Sequence, residues 1–171
     1  MKTVILIGAQ GHMGQAAMTG LKKHNVITAS RSGTGCDHTV DITSKASIKA
    51  LFEKVGPFDA VVNTVGYCEY ANFSEMTDEQ WDTTIQSKMV GQINLVNVGL
   101  NYINDGGSFT LISGILNVKP IPMAIADATT SGAISPMCLP RQSRRMRAAM
   151  ASSLCGSIGT AQSGQCWVPS L

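Results

Sequence analysis

Apolar and polar positions fall in periodic blocks along the first 135 residues. TVILIG (3–8) is a continuous apolar run that stops at glycine, the pattern of a strand buried on both faces of a parallel sheet. A helix is expected from Met13, with Met13, Ala17 and Leu21 at four-residue steps. Lys22, Lys23 and His24 stand in its last turn, where positive charge suits the helix dipole. NVITAS (25–30) and HTVDI (38–42) predict the second and third strands. SKASIKALFEKV puts Ile48, Leu51, Phe52 and Val55 on one helical face, and FDAVVNTVG (58–66) predicts the fourth strand. Thr77 with Gln80 fits a capping box. Ile85, Met89, Ile93, Val96, Leu100 and Ile103 then recur at steps of three or four, predicting one long helix over 77–104 that Gly106–Gly107 ends. SFTLIS (108–113) predicts the fifth strand. Strand and helix alternate throughout, so the expected class is α/β with a parallel, doubly wound sheet.

The periodicity fails after about residue 135. Residues 136–171 contain no clean strand pattern, and Arg144 to Ala151 offer a helical turn or two with only a weak apolar stripe. Charge changes at the same place. Residues 1–135 carry eight lysines and Arg31 against all eleven acids, a balance of −2. Residues 136–171 carry Arg141, Arg144, Arg145 and Arg147 with no acid, a balance of +4. The expected organisation is one domain over 1–135 and a poorly specified tail over 136–171. The abrupt shift suggests a change of reading frame near Pro136, which the nucleotide sequence around that codon decides. A sheet that stopped at the fifth strand would be incomplete at its C-terminal edge and would leave an open apolar flank, with weak stability in the absence of a ligand.

Composition narrows the classes further. The 171 residues are 44% apolar and 14% charged, a globular balance. No apolar run has the length of a membrane span. The opening MKTVILIGAQG breaks at Gly8 and passes into a glycine-rich turn, so it reads as a strand rather than a secretion signal, and a cytoplasmic location is expected. The five cysteines show no C-x-x-C or Cys/His spacing, so no metal site is expected and the thiols are read as reduced. Four arginines without interleaved aromatics make no nucleic-acid module.

The candidate chemistry begins at Gly8-Ala-Gln10-Gly11-His12-Met13-Gly14, between the first strand and the first helix. Gly8 suits a tight turn, Gly11 a close approach of the main chain to a diphosphate, and Gly14 close packing of helix on strand. The free amides of the helix start would face the anion. The second strand ends in Ser30-Arg31-Ser32, where an acidic residue would favour NAD. A guanidinium and two hydroxyls suit a 2′-phosphate, so NADP is expected over NAD. Asp41 and Ile42 are placed to flank an adenine, and Asn63, Thr64, Val65 and Gly66 to run past the adenosine ribose. All lie at carboxyl ends of parallel strands, where open α/β sheets bind ligands.

The glycine turn, Arg31, Asp41-Ile42, Asn63-Thr64-Val65-Gly66, Trp81 and the 77–104 helix together resemble the short-chain dehydrogenase/reductase family over roughly residues 1–135. SKMVGQINLV and GSFTLISGIL resemble a small bacterial branch of it. The resemblance implies a Rossmann-type sheet, a nicotinamide dinucleotide, a small carbonyl or alcohol substrate, and homo-oligomers built through the long helix. It also implies a catalytic set of Asn, Ser, Tyr and Lys. Position by position these fall on Lys88, Gly114, Asp127 and Ser131, so none is kept in its usual place. Lys88, on the side of its helix that faces the nicotinamide in the family, is the candidate proton donor, and Ser113 the candidate for orienting a carbonyl. Asp127 would donate a proton only if burial raised its pKa. The family's further helix, sixth strand, substrate lid and seventh strand are not recognisable after residue 135.

Overall fold

The computed structural model describes residues 1–137 and 146–153. Six parallel strands form one sheet in the order β3-β2-β1-β4-β5-β6. β1 (Thr3–Ile7) lies at its centre between β2 (Asn25–Ser30) and β4 (Phe58–Asn63), pairing Val4 with Val26 and with Ala60. Four of its five residues are buried, as the unbroken apolar run requires. Helices cover both faces. Ile5, Ile7, Val61, Phe109 and Leu111 pack in one cluster with Ile48, Leu51 and Phe52 of α2 (Lys45–Val55) and Leu95 of α4 (Gly91–Gly99). Val4 and Ala60 pack on the other side with Leu21 of α1 (His12–Leu21). Each fully buried large side chain contributes roughly 1.5–3 kcal/mol, so the first cluster carries most of the core. The expected doubly wound α/β class is the observed one.

Three elements depart from the sequence pattern. β3 is only His38–Thr39; Val40 N still donates to Ser30 O of β2 at 2.9 Å, and the Val40 and Ile42 side chains are buried in the core. The expected 77–104 helix is three pieces. α3 (Asp78–Thr84) starts on the predicted capping box, a π-helical segment follows over Ile85–Val90, and α4 ends at Gly99. A side-chain carbon on Gly99 would lie 2.6 Å from the Phe109 ring, so the helix end sits directly on β5. Ile103 continues the apolar rhythm but opens β5 (Ile103–Gly114), facing Phe58. Its period could not distinguish the last turn of a helix from the first residue of a strand.

The third departure is β6 (Met146–Ser153), which pairs in parallel with β5 from Gly107–Met146 to Gly114–Ser153. The expected open flank of β5 is therefore occupied, in a segment that carries no strand pattern. A ladder is made from backbone N–H and C=O groups that every non-proline residue supplies, so pairing does not require alternation. Among the described residues the sheet stops at β6. α5 (Ile125–Ile134), which the sequence pattern did not single out, packs against β5 and the π-helical segment. The remainder of the 136–171 tail lies outside the described residues.

Candidate active site

The glycine turn is built by steric exclusion. Gly8 has φ +88°, a conformation that side chains disfavour, and a Cβ there would lie 2.4 Å from Val65 Cγ1 and 2.7 Å from Thr64 Oγ1. Thr64 in turn donates its hydroxyl to the Ile7 carbonyl at 2.8 Å, pinning the exit of β4 to the turn. A Cβ on Gly14 would lie 2.1 Å from the Gly8 carbonyl oxygen, so α1 is pressed onto the turn. Gly11 differs: its Cβ would meet only the Gly8 oxygen, at 3.6 Å. It is also the N-cap of α1, with no side-chain acceptor and no acid in the first turn, where His12 and Met13 stand. The leading amides of α1 thus have no capping partner from the chain beside an open approach, which is the geometry that receives an anion.

Next to the turn, a cleft of about 350 Å³ opens over the carboxyl ends of β1, β2 and β4. Ser30, Arg31, Asp41, Ile42, Val65 and Gly66 are among its lining residues. Arg31 is exposed at its edge. Ser30 Oγ accepts from Gly33 N at 3.0 Å and Ser32 Oγ from Thr34 N at 3.3 Å, so both hydroxyls shape the loop that carries Arg31. Asp41 Oδ1 is engaged by Thr43 N and Oγ1 in a local turn. Gln10 does not point along the glycine turn: its Nε2 donates to Gly35 O at 2.6 Å. Asn63 is buried, donating to Val65 O at 2.8 Å and to Gln92 Oε1 at 3.1 Å, while its Oδ1 finds no partner. These residues fit a dinucleotide: a cradle open at Gly11 and, beside Ile7 at the end of β1, a cleft with Arg31 among its lining residues.

Beyond Gly66 the four positions that the resemblance assigned to catalysis do converge. Lys88 is buried in the π-helical segment and donates to Asp127 Oδ1 of α5. Ser131 Oγ donates to the same oxygen at 2.8 Å. A Cβ on Gly114 would stand 3.2 Å from Ser131 Oγ, 3.5 Å from Asp127 Oδ1 and 3.7 Å from Lys88 Nζ. The backbone of Lys88 is held by Gln92, which is fully buried. Gln92 Nε2 donates to Lys88 O at 2.7 Å and to Ile112 O at 2.8 Å, and its Oε1 accepts from Ile112 N at 2.8 Å. A π-helical turn at such a place fits the frequent use of π-bulges at functional sites.

Two further groups join this cluster from the loop after β4. Tyr70 OH donates to Asp127 Oδ2 at 3.0 Å, and burial together with that hydrogen bond pushes its phenol up to about 12. Burial also pushes the Cys68 thiol up to about 11, with Lys88 beside it drawing it part of the way back. Burial alone would raise Asp127, but the hydrogen bonds from Lys88, Ser131 and Tyr70 together outweigh it and hold the carboxyl below its ordinary value. Asp127 is therefore a carboxylate near neutral pH, not the proton donor that a raised pKa would have made it. Ser113 is buried beside the cluster with its hydroxyl turned to α5, donating to Ser131 O at 3.0 Å. Tyr70, Cys68 and Gln92 were not legible as site residues: Tyr70 and Cys68 sit in an aperiodic loop, and Gln92 is one of three polar amides in α4, with Asn94 and Asn97.

Known proteins show the same frame. The family model described as enoyl-(acyl carrier protein) reductase matches residues 5–137. The uncharacterized oxidoreductase YvrD of Bacillus subtilis is 25% identical over 154 residues, which cover 78% of this chain and 59% of YvrD. The chain spans less than two thirds of the length of that relative and of an uncharacterized oxidoreductase of Methylorubrum extorquens, of which it covers 63%. Among solved structures, the protein lin1944 from Listeria innocua is similar with a TM-score of 0.80 at 39% identity, over 89% of this chain and 77% of that one. A small-chain dehydrogenase in complex with NADPH is similar with a TM-score of 0.70 at 27% identity, over 78% of this chain and 60% of that one. With the sheet order, the glycine turn and the convergence at Lys88 already in place, the match across residues 5–137 establishes that this chain belongs to the short-chain dehydrogenase/reductase family.

Proposed function

We propose that this chain binds NADP(H) across the glycine turn and the Arg31 cleft and acts as an oxidoreductase on a small carbonyl or alcohol, with Lys88 as the group that exchanges the proton. The observation that carries this is the position of Lys88 Nζ. It stands at the meeting point of Gly114, Asp127 and Ser131, where the family's reacting atoms are expected and where no tyrosine is available from α5. A bound nicotinamide would supply the hydride. The first-turn amides of α1 would hold the diphosphate, Arg31 the 2′-phosphate, and Asp41, Ile42 and residues 63–66 the adenosine half. The relative solved with NADPH supports this choice of coenzyme. Asp127 orients the Lys88 side chain, and Gln92 fixes its backbone. Ser113 takes part by holding α5 against β5.

One observation favours a second reading, a domain that binds the dinucleotide without turnover. Asp127 is held as a carboxylate and already engages the Lys88 ammonium, so the proton of Lys88 is not free until that pair opens. Calorimetric titration with NADPH and NADH, followed by NADPH consumption against a panel of aldehydes and ketones, separates the two. Binding with turnover that Lys88→Met abolishes supports the oxidoreductase. Binding without turnover on any carbonyl supports the silent binder, and no binding of either coenzyme defeats both.

A further inference from the structure

We propose that Gln10 is a positioning residue for coenzyme choice: its hydrogen bond from the glycine turn to Gly35 holds the 31–37 loop so that Arg31 stands where a 2′-phosphate is read. This rests on the dinucleotide assignment above, and it changes the role expected for Gln10 from direct ligand to clip.

The 31–37 loop is bent at two glycines with positive φ, Gly33 at +73° and Gly35 at +64°. Most of its hydrogen bonds are local. Ser30 Oγ accepts from Gly33 N, Ser32 Oγ from Thr34 N, and Cys36 N donates to Gly33 O at 3.1 Å. At the far end Asp37 Oδ2 accepts from Thr28 N and Thr28 Oγ1, both at 2.8 Å, which anchors the loop to its own strand. Gln10 supplies a bond of another kind. It belongs to the glycine turn, 25 residues away, and its Nε2 reaches Gly35 O at 2.6 Å with Cys36 Sγ at 3.9 Å. The fit is close, since a Cβ on Gly35 would lie 2.7 Å from that nitrogen. The main chain of Gln10 is itself held, its carbonyl accepting from Gln15 Nε2 of α1 at 3.1 Å. The diphosphate cradle and the Arg31 loop are thereby one connected unit. Cutting the link removes the loop's bond to the glycine turn but leaves the cradle, so the loss falls on the coenzyme that needs Arg31.

The test is equilibrium binding, which does not depend on turnover. NADPH and NADH are titrated calorimetrically into the full chain and into Gln10→Ala, Arg31→Ala and the double variant, with thermal melts confirming that each is folded. Gln10→Ala is expected to weaken NADPH by about threefold to tenfold, the range that one neutral hydrogen bond covers, and to leave NADH within about twofold. The double variant is expected to bind NADPH no more weakly than Arg31→Ala alone, because both changes remove one coupled contact. Equal weakening of both coenzymes, or no change in either, overturns the proposal while the dinucleotide site stands. A parent chain that binds neither coenzyme removes the dinucleotide site, and this proposal with it.

Discussion

The glycine turn and the Lys88 cluster sit at the same carboxyl edge of one sheet, yet they are built by opposite means. The turn is made of main chain. Its shape follows from what cannot fit, a carbon at Gly8 or at Gly14, and its charge follows from amides left uncapped at Gly11. The cluster is made of side chains. Lys88 and Asp127 are 39 residues apart, and their opposite charges meet in a buried pair. One region is intolerant of an added carbon; the other is intolerant of a lost charge. A fold can therefore keep its glycine turn in ordinary form while the groups of the Lys88 cluster are exchanged, provided that the exchange leaves no buried charge alone.

The largest expected effect comes from unpairing that charge. Asp127→Ala should cost about 3–5 kcal/mol in chemical denaturation, because the Lys88 ammonium is left buried without its partner. The double variant Lys88→Met/Asp127→Leu should recover most of that loss. A single variant that costs under about 1 kcal/mol would mean that Lys88 swings to solvent and the pair is not structural. The same pair predicts an acid limb. The folded Asp127 carboxyl lies below its unfolded value of about 3.9, so its stabilisation is complete above that value. It is lost as pH falls through the folded value. Melting temperature followed from neutral pH downward should fall less steeply in Asp127→Asn than in the parent; parallel curves would assign the acid loss to other carboxylates, such as Asp59.

The next effect separates the glycines of the turn. Gly14→Ala should cost about 1–3 kcal/mol, since the new carbon meets backbone that cannot move aside. Gly11→Ala should stay within about 0.5 kcal/mol in the same measurement, because its carbon meets only ordinary contact. Its methyl nevertheless enters the side from which an anion approaches, so NADPH binding should weaken where stability does not. Equal melting losses in the two variants would show that the turn is rigid throughout rather than open at Gly11.

This division explains what the sequence disclosed. The strand-turn-helix at residues 3–21 was legible because steric exclusion is recorded as spacing, and β1 was legible because burial on both faces demands an unbroken apolar run. The helix over 77–104 was legible at its start, where Thr77 and Gln80 make the capping box found in the structure, and not at its end. Ile103 fits a helical step from Leu100, but α4 ends at Gly99, packed against Phe109, and Ile103 opens β5. The π-helical turn around Lys88 left no trace, since it alters backbone bonding without altering residue type. β6 was hidden for the reason that backbone pairing needs no pattern. At the Lys88 cluster, matching positions to the family picked out Lys88, Gly114, Asp127 and Ser131, which the structure brings together. What they do to one another, and that Tyr70 joins them from the loop after β4, depends on tertiary contact alone.

The smallest predicted effect tests the Arg31 cleft on its own terms. Arg31 is exposed at the cleft edge, so Arg31→Ala should leave the melting temperature nearly unchanged. A guanidinium near a 2′-phosphate acts on one coenzyme only. Arg31→Ala should therefore weaken NADPH by about tenfold, roughly 1.4 kcal/mol, and leave NADH alone. Because the contact is solvent-exposed, the NADPH advantage of the parent should also shrink as salt is raised, whereas the variant should show little salt dependence in its NADPH to NADH ratio. If NADH weakens to the same degree, Arg31 is holding the diphosphate or the loop rather than reading the 2′ position. The uncapped amides at Gly11 would then remain the whole of the anion site, and preference for the phosphorylated coenzyme would have to come from elsewhere in the cleft.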